Sequence, residues 1–487
     1  MTELDERGAV RGVFWTAIQS IGVRLFSLLV FIVLARLLTP SDFGLLAMAG
    51  VFVALGDALV AQGFGAAITQ REELEPEHES TAFWTNMLLG LALGALLWAA
   101  APAIADLYGQ DALTSVIRWL SPVLFLRGAV AVPVGLLQRR FRFRALAIRA
   151  VLAALLGGVA GMLAAFWGWG VYALVVQQLV GASLDLIVVW SAAAWWPHFA
   201  FSVRHLKDLL GYSSYLLGSG LLGLLSRRSD DFLIGIVLGD IALGIYAVAY
   251  RGLQILEQVL AKTGTVVAFA AFSRLQGQPE RMRDAFYSST RAASVITMPV
   301  FIGVSMLAPF AVPLVFGEQY VQSGQVLQVL ALIGVLHGVS YFDYAVYNGV
   351  GRPDLVLKLL AVNTVANVVL FFIVARWGIV AVASAYVARA YLLMPLNLMA
   401  LRSVIGVSPR RYFANFIPAL GACLVMAVAI WAVSLLALSD LGRLLMSVAV
   451  GGLVYVLTLQ RLAPALAADL ASKLSTLFRR RARETTD

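Results

Sequence analysis

Apolar residues run along this chain in blocks far longer than a soluble core helix uses, with short polar segments between them. The blocks fall at about 13–38, 43–66, 81–105, 113–137, 146–167, 170–193, 210–238, 242–265, 292–316, 325–348, 355–376, 379–401, 412–437 and 441–460. A helix of ~20 apolar residues crosses the ~30 Å of bilayer hydrocarbon. Lipid offers the backbone no hydrogen bonds, so each block is expected to be a helix and each separator a short turn. The pattern predicts an all-α polytopic membrane protein with about fourteen transmembrane helices.

The positive charges orient these helices. With the N-terminus inside, the cytoplasmic separators and termini hold 26 Lys and Arg, including Arg7, Arg11, Arg139, Arg140, Arg142, Arg144, Arg410, Arg411 and Arg479–Arg481. The opposite side holds 3, namely Arg36, Arg376 and Arg443, and the remaining 7 lie inside spans. The positive-inside rule places both termini in the cytoplasm, and this strict alternation would break downstream of any span missed or invented.

Composition narrows the class. Of 487 residues 61% are hydrophobic and only 13% charged, too few to cover a soluble surface of this size. The net charge of +9 sits in cytoplasmic loops, so topology explains it and no nucleic-acid partner is expected. The lone Cys423 excludes a disulfide framework. The first 12 residues are polar and of mixed charge, unlike a cleavable signal. His78, His198, His205 and His337 show no metal-ligand spacing, and no phosphate loop is present, so neither a metal nor an ATPase is expected. No loop is long enough to carry a catalytic domain, and the chain is read as a non-enzyme.

The chain repeats itself. At an offset of 200, Leu38 matches Leu238, Gly44 matches Gly244, Ala47 matches Ala247, Ala49 matches Ala249, and Asp57 falls opposite Glu257. The offset then drifts: Arg149 pairs with Lys358, Trp167-Gly168 with Trp377-Gly378, and Ala173 with Ala383. The expected organisation is a six-helix bundle at 1–200, a second at 201–404, two extra helices at 405–460 and a basic tail at 461–487. Six is even, so the bundles are parallel repeats around a central cavity, an arrangement suited to alternating access.

Charges at bilayer depth cost ~2.5–3.5 kcal/mol each on insertion scales, so each asks for a reason. The densest group is Ser226-Arg-Arg-Ser-Asp-Asp231. Arg227–Asp231 is i,i+4 and Arg228–Asp231 is i,i+3, so either pair can form on one helix face. The four charges either neutralise one another or line a wet cavity that holds an anion. Arg24 lies ~16 Å into its span and Arg127 is mid-span; each fits either an anionic ligand or an interhelical ion pair. Arg118, near the outer surface, is read as a snorkelling residue. The repeat-related Asp57 and Glu257 either pair with Arg24 and Arg251 or couple transport to an ion, as Asp231 and Asp343 also can. His337 is read as a satisfied core residue. Gln70–His78 is an acidic, solvated loop. The tail places Leu462, Leu466, Leu470, Leu474 and Phe478 at helical spacing before Arg479–Arg481, either as an amphipathic helix on anionic lipid or as a topology signal alone.

Four stretches carry a family resemblance: Ala35-Arg-Leu-Leu-Thr-Pro-Ser-Asp-Phe-Gly-Leu45, Leu136-Leu-Gln-Arg-Arg-Phe-Arg-Phe-Arg144, Asp230-Asp-Phe-Leu-Ile-Gly235 with Leu243-Gly-Ile-Tyr246, and Gly349-Val-Gly-Arg-Pro353. In order and spacing they resemble the multidrug/oligosaccharidyl-lipid/polysaccharide exporter superfamily, in particular its Wzx-type polysaccharide flippases of the colanic-acid exporter branch. The likeness covers roughly residues 10–400. It implies a flippase that carries an undecaprenyl-pyrophosphate-linked oligosaccharide across the bacterial inner membrane, as a monomer among membrane lipids. A glycan polymerase and a chain-length regulator would act downstream. It also implies that spans 1, 2, 7 and 8 line the cavity, so that Arg24 and Arg227/Arg228 face the anionic head group from opposite halves; Arg127 joins this candidate set by its mid-span position. Asp57, Glu257, Asp231 and Asp343 would serve proton or sodium coupling, with no other cofactor. The rival readings are a cation-coupled multidrug antiporter, a lipid-linked peptidoglycan precursor flippase and, more distantly, a membrane glycan polymerase or ligase. The antiporter calls for a cavity dominated by acids, whereas the locally unpaired charges here are mainly Arg.

Overall fold

The computed structural model describes residues 22–61, 68–69 and 74–464, and places side chains at these positions except 61, 209–219, 261–271 and 339. Arg7, Arg11, the start of the acidic loop and the basic tail beyond residue 464 lie outside the described residues. The described residues form helices and connecting loops, with no strand among them.

In chain order the helices are α1 (22–37), α2 (Pro40–Ala61), α3 (Pro76–Tyr108), α4 (Ala112–Leu120), α5 (Pro122–Arg139), α6 (Phe143–Phe166), α7 (Val171–Ala193) and α8 (Val203–Arg274). There follow α9 (Pro279–Phe316), α10 (Val321–Gly349), α11 (Pro353–Val374), α12 (Ile379–Ile405), α13 (Pro409–Ala414), α14 (Ile417–Ser434) and α15 (Asp440–Leu462). Among the described residues 12 helical segments are long and apolar enough to cross a bilayer. One of them, Gly220–Leu260, covers the seventh and eighth apolar blocks together. No polar loop separates those blocks; the run bends at Gly239, whose φ of 84° is open to glycine and strained for other residues. The first block is described from residue 22 onward, as α1. The chain is thus an all-α polytopic membrane protein.

Local chemistry explains the helix ends that the motifs mark. Thr39 caps α2: the Asp42 amide donates to Thr39 Oγ1, while the Thr39 amide and hydroxyl both donate to Asp42 Oδ2 at 2.8 Å. With Pro40 at the first helical position, this is a reciprocal capping box. The basic Leu136–Arg144 stretch closes the other end of the bundle. Arg140 and Arg142 donate to the carbonyls of Ala193 and Ala192, the last turn of α7, where cations favour the helix dipole.

The chain packs as two units, residues 1–247 and 248–487. In the first, α3 packs on α5, and α6 on α7. Small residues allow the approach: a Cβ at Gly90 would meet the Leu124 carbonyl, and one at Gly128 the Asn86 carbonyl. In the second unit α9 packs on α10, and also on α14 and α15. Phe286, Tyr287, Tyr412, Phe416, Met426 and Tyr455 fill its core, and the Tyr455 hydroxyl donates to the Val295 carbonyl at 2.7 Å. Elsewhere large apolar side chains such as Leu88, Phe372, Leu392 and Leu424 point outward. Water would not tolerate so much exposed apolar surface; lipid tails do. Trp119, Trp167, Trp169 and Trp377 stand exposed at helix ends, as in an interfacial aromatic belt.

Candidate functional site

The first unit gathers four charges from four helices. Arg127 of α5 places Nη1 3.2 Å from Asp185 Oδ2 and Nε 3.8 Å from Asp57 Oδ1. Arg149 of α6 approaches Asp185 from the other side, Nε to Oδ1 3.5 Å. The Asp185 side chain is only 12% exposed, against 44% for Arg127 and 43% for Asp57. Two guanidiniums and two carboxylates sum to zero, so the group ties α2, α5, α6 and α7 together without a net field. Asp57 and Arg127, expected in separate ion-coupling and anion-binding sets, are thus brought together here. Asp185 holds the centre, and Arg149 joins it from early in α6.

The second gathering is on α8. Arg228 Nη1 donates to Asp231 Oδ2 at 2.6 Å, so the i,i+3 pair forms. Asp230 is buried and accepts from the Tyr246 hydroxyl at 3.0 Å across the Gly239 bend. Phe232, one residue beyond Asp231, meets Phe52 and Tyr108 edge-on, at 6.4 Å and 6.1 Å between ring centroids. The odd charge is Arg227. It is exposed, extends back along Gly223, and has no ionic partner among the described residues. It lies 12 residues before the bend, about 18 Å at ~1.5 Å per residue. Arg24 is half-buried on α1.

The two segments that match in sequence at an offset of 200 touch each other. A Cβ on Gly44 would run into the Asp240 carbonyl, and one on Gly244 into the Pro40 carbonyl. The contact is reciprocal under the 200-residue offset: residue 44 meets 240, and residue 244 meets 40. Polar groups secure it, since Ser41 Oγ donates to Asp240 Oδ2 and Gln110 Nε2 to Asp240 Oδ1 at 2.9 Å.

In the second unit Glu257 Oε1 lies 2.7 Å from His337 Nδ1. The Tyr341 ring lies tilted to the imidazole at 5.7 Å, and its buried hydroxyl has no hydrogen-bond partner among the described residues. His337 is thus the partner of the repeat-related acid. Asp343, 3% exposed, keeps Oδ1 without a hydrogen bond among the described residues. Arg389 lies over the Tyr386 ring at 5.0 Å. Arg118, read as snorkelling, stacks over Trp98 at 4.6 Å. Ser41, Gln110, Asp240 and Tyr246 drew no notice as site residues, because nothing in their local sequence shows which distant group they meet.

A polysaccharide biosynthesis protein family matches residues 33–325, more than half of the chain. The chain belongs to this polysaccharide biosynthesis family. Among similar members, the teichuronic acid biosynthesis protein TuaB of Bacillus subtilis is 27% identical over 474 residues, 95% of this chain and 97% of that protein. The succinoglycan biosynthesis transport protein ExoT of Rhizobium meliloti is 28% identical over 367 residues, 75% of this chain and 74% of that protein. Of solved structures, the lipid II flippase MurJ in an inward closed conformation superposes with a TM-score of 0.77 at 13% identity, covering 93% of this chain and 99% of that one. An inward-facing multidrug resistance MATE transporter gives 0.61 at 18% identity, covering 80% and 99%. These structural likenesses speak for the fold. The apolar helices and the family together make this a multi-pass protein of the inner membrane.

Proposed function

We propose that this member of the polysaccharide biosynthesis family is a flippase. Its cargo is an undecaprenyl-pyrophosphate-linked glycan repeat unit, which it moves from the inner to the outer leaflet by alternating access. The observation that carries this reading is Arg227: a permanent cation at mid-span, exposed, beside an Arg228–Asp231 pair that is already neutral. A guanidinium in that setting suits a pyrophosphate oxygen, which it grips with two parallel hydrogen bonds. Arg24 is the second contact in this reading, and Arg127 and Arg228 act through the ion pairs that hold them. TuaB and ExoT, named for polymer biosynthesis and its transport, support a glycan cargo.

The finer architecture belongs to the same proposal. Fourteen spans form two parallel six-helix repeats, 1–200 and 201–404, with two further helices at 405–460 and both termini in the cytoplasm. The reciprocal Gly44–Asp240 and Gly244–Pro40 contact supports the repeat. By the charge alternation it lies on the outer face, where it closes the exit while cargo loads from inside. Glu257 with His337 is the coupling site in this reading, since the carboxylate lies 2.7 Å from an imidazole nitrogen and a proton can be shared between them. The protein acts as a monomer, and a polymerase with its chain-length regulator consumes the product.

The test is glycan export in a deletion strain complemented with wild type, Arg227→Ala or Arg24→Ala, with membrane levels matched. Lipid-linked repeat units trapped in the inner leaflet of the deletion strain, not rescued by either variant, are expected. Intact export in the deletion strain together with altered resistance to cationic drugs would replace the flippase with an antiporter.

A further inference from the structure

Side chains that transport leaves unused meet where α3 and α8 begin. Glu75 caps α3, His78 lies one turn in, and His205 is in the first turn of α8. One ligand atom from each falls within 4.8 Å of the other two. The His78 and His205 rings stand 4.1 Å apart between centroids. His205 Nε2 is 3.4 Å from Glu75 Oε2, and His78 Nε2 is 4.0 Å from Asp208 Oδ2.

We propose that Glu75, His78 and His205, with Asp208 as fourth ligand, form a divalent-cation site suited to Zn2+. The argument is geometric first. Ligands about 2.1 Å from a tetrahedral ion stand about 3.4 Å from one another. The Glu75–His205 edge already has that length, and the His78–Asp208 edge needs only a small inward movement. The donor set is chemical evidence of the same kind. Two imidazoles with carboxylates select zinc over magnesium or calcium, which take oxygen shells. Charge balances as well: two carboxylates and two neutral imidazoles carry −2, which the ion cancels. That matters because two helix N-termini converge here, and their dipoles oppose a bare cation.

One existing contact must yield. The Glu75 amide donates to His78 Nδ1 at 3.3 Å. Metal at Nε2 requires the ring proton on Nδ1, so loading gives up that long hydrogen bond and leaves an amide that water reaches at the exposed Glu75.

The ion would staple a connector. Residues 194–202 join α7 to α8 and already lie along the start of α3: Trp84 Nε1 donates to the His198 carbonyl at 2.9 Å, the His198 amide to Ser80 Oγ at 3.1 Å, and the Ser202 amide to Thr81 Oγ1 at 3.1 Å. A bound ion adds a cross-link between α3 and α8 at the end of that connector.

The experiment uses the full chain in nanodiscs, with any affinity tag cleaved and chelator removed. Titration with ZnCl2 is read by calorimetry, and the occupied site by X-ray absorption. One ion per chain is expected, with two imidazole nitrogens at about 2.0–2.1 Å. His205→Ala and Glu75→Gln each weaken binding about ten-fold or more, while His198→Ala leaves it unchanged. Zinc raises Tm in wild type and not in His205→Ala. Both ligand variants change side chains that are not fully buried, and their melts in chelator serve as the folding control. No binding by wild type, or equal binding by His205→Ala and Glu75→Gln, overturns the proposal. Since binding alone is read, failure here leaves the transport reading intact.

Discussion

Replacing Gly44 or Gly244 by Ala tests whether the repeat segments are held together as their geometry implies. Each added methyl would sit inside contact distance of a backbone carbonyl, Asp240 for Gly44 and Pro40 for Gly244. A carbonyl cannot rotate away as a side chain can, so the two helix ends must part, by more than about 1 Å for normal carbon contacts of ~3.5 Å. That displacement breaks the Ser41 and Gln110 hydrogen bonds to Asp240. Each goes to a carboxylate, worth about 1.5–3 kcal/mol when buried and less at this half-exposed position. Together they give about 2–4 kcal/mol, or a shift of roughly 30- to 1,000-fold toward the parted state, since each 1.4 kcal/mol is ten-fold. The reporter is a cysteine at Met48, which is fully buried two turns along α2. The sole native thiol, Cys423, is buried and contributes a slow background. In nanodiscs, maleimide labelling of Met48→Cys is expected to accelerate by one to three orders of magnitude in either glycine variant. Unchanged labelling, or acceleration by Gly44→Ala alone, would refute the reciprocal contact.

Other expectations follow from the same side chains. Asp185→Asn removes the carboxylate that Arg127 and Arg149 share; a loss of about 2–3 kcal/mol is expected by thermal unfolding, discounted from the ~3–5 kcal/mol of a fully buried pair because Arg127 is partly exposed. Adding Arg149→Gln restores neutrality, so the double variant should be at least about 1 kcal/mol more stable than the sum of the singles. Arg228→Ala strands Asp231 and should lower Tm, whereas Arg227→Ala should leave Tm unchanged and abolish glycan export. Equal melting of the two variants would contradict their different surroundings. Tyr246→Phe deletes the hydroxyl that serves buried Asp230 and should cost about 1–3 kcal/mol.

Transmembrane helices could be read from the sequence because lipid leaves the backbone one choice. The break between the seventh and eighth blocks, set at 239–241 by the apolar pattern, falls where the helix bends at Gly239, although a single glycine rather than a polar loop makes it. Short-range pairs were readable for a related reason: Arg228 and Asp231 are three residues apart, and helix geometry alone brings them together. Arg127 is the opposite case. Its partners Asp57 and Asp185 come from other helices, so its role depended on packing that sequence spacing does not encode. The same holds for His78 and His205, which look like isolated histidines until α3 and α8 start side by side. The segments around Gly44 and Gly244, alike in sequence at an offset of 200, are ones that touch.

Asp57 and Glu257, 200 residues apart, have unlike partners. Asp57 faces Arg127 within the charge group that ties α2, α5, α6 and α7 together. Glu257 faces the imidazole of His337 at 2.7 Å. One carboxylate therefore has a guanidinium partner and the other an imidazole that can take up or release a proton. If Glu257 carries coupling, Glu257→Gln should abolish the pH dependence of transport in proteoliposomes, and His337→Arg should give Glu257 the same kind of partner as Asp57 and slow transport at every pH. Asp57→Asn should lower stability and leave the pH profile in place. A pH profile that moves with Asp57→Asn and not with Glu257→Gln would reverse the assignment, because the carboxylate that couples transport is the one whose removal abolishes the pH response.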